Sequence, residues 1–230
     1  MKNLAALAVA IATAINPAQA QVNKVRPGFG DDPGQPVTQP FALPRGVRLD
    51  GPIMGVDAES GECKDKNLTV GSGRAVKVCA AFCMDNGIII GADGLPIDIR
   101  NGLILNSQFR DGQNGLLIER VLVQMPYTPC GPGGFKEDEE QKKKRRKFIV
   151  QFNGYCLNES RSPSMDGMQY SIGGLTADPD MRELLAILAK KKVETEEHKS
   201  IVQTAIYSIT EGRGLTEKDR WDLDGLPNKA

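Results

Sequence analysis

The sequence predicts a mainly β domain, a sandwich or barrel, with a C-terminal α-helical hairpin in an α+β arrangement. Three observations predict it. Short apolar runs broken by Gly and Asp fill the chain from Val47 to Cys156. Only 5% of residues are aromatic while 25 are Gly, a composition of turns rather than of a helical bundle. Beyond Ala177 the apolar residues change to a helical period.

Residues 1–20 read as a signal peptide. Lys2 precedes an apolar run from Leu4 to Ile15, and Ala18-Gln19-Ala20 has the small-x-small form of a cleavage site. The run is too short to cross a bilayer, which needs about 20 residues. The mature chain, starting near Gln21, would keep 28 basic against 29 acidic residues. That balance argues against nucleic acid as a partner. A secreted, periplasmic or cell-envelope location is expected, with no transmembrane segment in the mature chain.

Residues 21–46 carry Pro27, Pro33, Pro36, Pro40 and Pro44 without apolar periodicity and are expected as a linker. Residues 47–156 form the β domain. Its strands are expected over 75–81, 87–90, 103–105, 116–125 and 148–152, with Ile118 to Gln124 the clearest. Residues 136–147, acidic and then basic, read as a solvated excursion between strands.

Residues 157–230 make the helical part. Asp178-Pro179 supplies an N-cap and a proline at the first helical position. Met181, Leu184, Leu185 and Leu188 then recur at helical spacing, and the helix should end near Lys190 to Lys192. A second helix is expected from about Glu194 to Thr210, stopped by Gly212. Its apolar stripe is His198, Ile201, Val202, Ala205 and Ile209.

The cysteines number five, so one is left over if the others pair in an oxidising compartment. Cys79 and Cys83 on one strand would lie roughly 13 Å apart, too far to bond each other. They are expected to pair with Cys63 and Cys130, although all three connectivities of the four stay open. Cys156 is the odd one.

Metal chemistry has little to use, because a single histidine and scattered cysteines give no zinc spacing. Asp222-Leu223-Asp224-Gly225 matches part of a calcium loop, but Arg220 occupies the first ligand position. No metal site and no cofactor are expected. His198 raises a Cys156–His198 dyad and thus a thiol hydrolase. On a helix, however, it lies about 140° away from Gln203, across the apolar stripe.

Cys156 and Gln203 carry the sharper chemistry. A thiol and a carboxamide held together out of water can condense to a thioester, an activated acyl group. Tyr155-Cys156-Leu157-Asn158 is followed by Ser162-Pro163, an apolar helix, Val202-Gln203-Thr204-Ala205-Ile206-Tyr207, and Thr210-Glu211-Gly212. This order resembles the bacterial thioester domain, with its Tyr-Cys, proline loop, helical insert, Thr-Gln-x-Ala-Ile-Trp and Thr-Asp-Gly motifs. Here Val202 replaces the usual Thr, Tyr207 replaces the usual Trp, and only a short tail follows.

The resemblance implies Cys156 as the thiol and Gln203 as the acyl donor, with Tyr155 and Tyr207 lining the binding pocket. It also implies covalent capture of an amine on a protein or glycoprotein surface, a single event rather than enzymatic turnover. The alternatives are a non-covalent exported β-sandwich binding or envelope protein and, further off, the Cys–His hydrolase.

Overall fold

The computed structural model describes residues 24–131 and 147–229. The expected signal peptide, and all of the 136–147 run except Lys147, lie outside the described residues.

The expected β domain is a closed barrel. Six antiparallel strands form its ring: β3 (Ile53–Val56), β5 (Val76–Met84), β7 (Leu103–Ser107), β8 (Gly115–Leu116), β10 (Phe148–Cys156) and β11 (Gln169–Thr176). The order β5-β3-β11-β7-β8-β10 closes through the β5–β10 pair, so the ring has no free edge. Three short strands attach to it. β1 (Thr38–Gln39) pairs with β11, β2 (Val47–Leu49) with β5, and β4 (Leu68–Val70) runs parallel to β10. β6 (Leu95–Ile99) and β9 (Val121–Met125) form a separate antiparallel ribbon.

Alternation explains the barrel interior. On β5, Val76, Val78, Ala80 and Phe82 are buried, and on β10 so are Phe148, Val150 and Phe152. Phe82 and Phe152 meet edge to face with centroids 6.4 Å apart. Two disulfides fasten the outside, Cys63–Cys79 and Cys83–Cys130, while Cys156 is buried and free. Such bonds persist in oxidising surroundings. Cys79 and Cys83 share β5 and take separate partners.

The helices begin as the caps dictate. α1 (Pro179–Leu188) starts at Asp178, whose carboxylate accepts from the N–H groups of Asp180 and Met181. Met181, Leu184, Leu185 and Leu188 are its buried face. α2 (Glu196–Thr210) is capped by Thr195 and buries Val202, Ala205, Ile206 and Ile209. These residues join Leu116, Tyr155 and Leu157 in a second core against the barrel wall.

Five expectations need correction. Residues 87–90 are not a strand: Gly87 has φ +88°, Ile89 is 95% exposed, and Ile88 and Ile90 pack on the barrel core from a turn. Residues 118–120 precede rather than join β9. The helical part after 156 also contributes β11, whose alternation is broken by a bulge between Ile172 and Gly174. It contains a third helix too, α3 (Glu217–Asp224), opened by a Thr216/Asp219 capping box. Finally, residues 24–46 are not a free linker. Phe29 enters the second core, and the buried Arg26 pairs with Asp178 and Asp180 and donates to Ile209 O at 2.8 Å. Among the described residues no helix is long and apolar enough to cross a membrane.

Candidate functional site

Cys156 is the last residue of β10, and strand geometry leaves its backbone in need of a partner. Tyr155 pairs with Leu116 of β8, and Leu157 N–H donates to Asn114 O at 3.0 Å. Hydrogen-bonding direction alternates along an antiparallel strand, so Cys156 turns its N–H and C=O to the opposite edge. The neighbour there is β5, whose pairing stops at Val76, opposite Gly154.

Gln203 fills the vacancy. Its Oε1 accepts from Cys156 N–H at 2.9 Å, and its Nε2 donates to Cys156 C=O at 2.9 Å. The carboxamide acts as one residue of a missing strand, delivered from α2 by the flank of the helix that faces the barrel. This pairing also fixes the carboxamide on the residue that carries the free thiol.

The cleft beside this pair has a volume of about 700 Å³. Tyr155, Pro163, Gln203 and Tyr207 line it, with Arg74 and Lys199 among its charged groups. Arg74 reaches across to Glu196 at the start of α2. Gln203 and Tyr207 stand one helical turn apart and so present one face to the cleft.

The Cys156 sulfur accepts from Asn158 N–H at 3.2 Å, and the Tyr207 hydroxyl is near enough to favour its ionised form. Burial pushes the thiol up to about 11, against the opposing pull of those two groups. At neutral pH the group is then the neutral thiol. Burial likewise raises Tyr207 and Tyr155 above the ordinary phenol range.

Asn158 organises the turn after the cysteine. It is fully buried, its Nδ2 donates to Gly28 O and Gly30 O, and its Oδ1 accepts from Asn114 N–H. In the cleft wall, the Tyr155 hydroxyl shares a 3.0 Å hydrogen bond with Ser72, which in turn bonds to Glu119. Gly71 at φ +94° and Gly73 let the Ser72 loop lie against the β10 backbone, because a Cβ at Gly73 would overlap Gly154.

His198 does not join the cysteine. It sits in the first turn of α2, where its hydrogen bonds are to Glu194 and Thr195. The geometry therefore gives no Cys–His dyad. No group of residues among those described is arranged to hold a metal ion.

The four residues singled out in the sequence, Tyr155, Cys156, Gln203 and Tyr207, thus meet in one place. Sequence reasoning missed Ser72, Arg74 and Glu119, which belong to no spaced pattern, and the role of Asn158, which stands in the Tyr-Cys motif but bonds to the distant Gly28 and Gly30. No protein-family model matches this chain, and neither does any curated protein or solved structure.

Proposed function

We propose that this chain is an exported surface module that forms an internal Cys156–Gln203 thioester and uses it to capture an amine on a partner protein or glycoprotein. One observation carries the reading: the Gln203 carboxamide is held on Cys156 itself by two 2.9 Å hydrogen bonds, beside the unpaired thiol. The order of sequence motifs, resembling the bacterial thioester domain, supports it independently.

The chemistry follows from the contacts. The Cys156 sulfur adds to the Gln203 side-chain carbonyl carbon, and negative charge develops on Oε1, where Cys156 N–H already donates. The C–N bond breaks, the thiol proton ends on the departing nitrogen, and ammonia leaves. With so little thiolate available the step is slow, which a once-only reaction tolerates. Burial then protects the product from water.

A second reading rests on the same two hydrogen bonds. They satisfy the Cys156 backbone completely, so Gln203 can serve as a structural bridge in a non-covalent exported binding or envelope protein.

Intact-mass measurement separates the two. The wild-type mature chain is expected to be lighter by one ammonia, with the deficit mapped to a cross-linked Cys156–Gln203 peptide pair. Mapping matters because an N-terminal Gln21 would lose ammonia by itself. The deficit should vanish in Cys156→Ala and be replaced by an adduct on Gln203 after incubation with methylamine. Thiol titration of the non-reduced chain should find no free thiol before methylamine is added and one, at Cys156, after capture. An unmodified Gln203 with one titratable thiol at Cys156 would establish the structural bridge instead.

A further inference from the structure

We propose that Tyr155, Ser72 and Glu119 form a proton-transfer chain that deprotonates the amine attacking in the cleft. The inference rests on the thioester reading above and concerns its second step, capture.

An alkylammonium ion has no lone pair, so it must lose a proton before it attacks. The carboxylates at the cleft are Glu59, exposed on its rim, and Glu196, held by Arg74 and Lys199. His198 is engaged at the start of α2, and among the described residues no further polar group leads inward from Tyr207 as Ser72 and Glu119 do from Tyr155. Tyr155 is different, because it lines the cleft and its hydroxyl continues inward through Ser72 to a carboxylate. The Tyr155 hydroxyl also lies in the field of Arg74 and Glu196, which span the cleft.

Glu119 ends the chain in a second cavity of about 330 Å³, shared with Lys191, Lys192, Glu194 and Lys229. The chain therefore joins two openings, one for the amine and one for discharge to solvent. Burial raises the Glu119 carboxyl, although the Ser72 hydroxyl and nearby Lys229 oppose the shift. A carboxylate so raised is a better base than an exposed one. Tyr155, raised as well, stays a neutral phenol that accepts one proton while passing on its own.

The step balances. The ammonium gives a proton to the Tyr155 oxygen, Tyr155 gives its own to Ser72, and Ser72 gives its own to Glu119. The freed amine attacks the thioester carbonyl, the C–S bond breaks, and the electron pair stays on sulfur. The second nitrogen-bound proton goes to that sulfur. The products are a secondary amide at residue 203, a Cys156 thiol and a neutral Glu119.

The test follows methylamine adduct formation by intact mass from about pH 5 to 8, normalised to the thioester fraction of each variant. Glu119→Gln keeps a partner for Ser72 and should capture methylamine roughly ten- to a hundredfold more slowly at neutral pH. The difference should shrink as pH falls, because the wild-type carboxylate is then protonated too. Ser72→Ala should lose as much, the double variant no more than either, and Glu119→Asp less. An alkoxyamine, uncharged at neutral pH, should show a smaller loss. Unchanged rates, or a loss independent of pH and of the amine's charge, would overturn the chain while leaving the thioester intact. A wild-type protein without the ammonia deficit would overturn the thioester reading and this inference with it.

Discussion

Asn158→Asp is expected to destabilise the fold by about 3–5 kcal/mol, a large share of the stability of a domain this size. The substitution is nearly isosteric, so the cost is electrostatic and not steric. The Asn158 Nδ2 donates to Gly28 O at 3.0 Å and to Gly30 O at 2.9 Å in a site with no exposure. An aspartate presents an oxygen to both carbonyls. Ionised, it is a buried charge facing two negative dipoles; protonated, it has one proton for two acceptors. Each orphaned buried group costs about 1–3 kcal/mol. The urea midpoint should fall accordingly, and Asn158→Ala should fall too, because it removes the donor to Gly30 O and the acceptor for Asn114 N–H and leaves a void. On the proposed thioester reading, the cross-linked fraction should drop in both, since the turn also aims the Asn158 N–H at the Cys156 sulfur. An Asp variant as stable as wild type would contradict the placement of the Asn158 amide.

Arg26→Met should cost a similar amount, about 3–5 kcal/mol, by stranding charge instead of creating it. The guanidinium side chain is 4% exposed and meets Asp178, itself 10% exposed, at 2.8 Å. Its other contacts are Asp180 and the Ile209 carbonyl. Methionine refills the volume but leaves the Asp178 charge with only the backbone N–H groups it caps. The check is a double variant. Asn serves as well as Asp at a helix N-cap, so Asp178→Asn should recover part of the loss in the Arg26→Met background. Equal stability of the single and double variants would mean that the ion pair contributes little.

The sequence made some elements plain and hid others for physical reasons. Asp178-Pro179 and the Met181, Leu184, Leu185, Leu188 spacing announce α1 because capping and helical period are local properties. Cys79 and Cys83 reveal that they cannot pair because strand rise is fixed. The bulge at Ile172/Gly174 hides β11, since one extra residue reverses which face the alternation marks. Residues 24–46 look like a linker because their burial comes from distant partners, Asp178 for Arg26 and Asn158 for the carbonyls of Gly28 and Gly30. The site divides in the same way. Tyr155, Cys156, Gln203 and Tyr207 stand in motifs, whereas Ser72 and Glu119 are brought to Tyr155 only by the loop crossing at Gly71–Gly73.

The strap at Arg26 sets an order of events. Its hydrogen bonds to Asp178 and Ile209 span 152 and 183 positions of the chain, and contacts of such separation form late. A polypeptide delivered from its N-terminus presents this segment among the first and cannot secure it until α2 has arrived. Cys156 waits for Gln203 in the same helix, 47 residues further on. The two closures therefore share one clock. While the chain is still being made, its sulfur and carboxamide stay apart, and any chemistry between them is deferred until α2 has emerged.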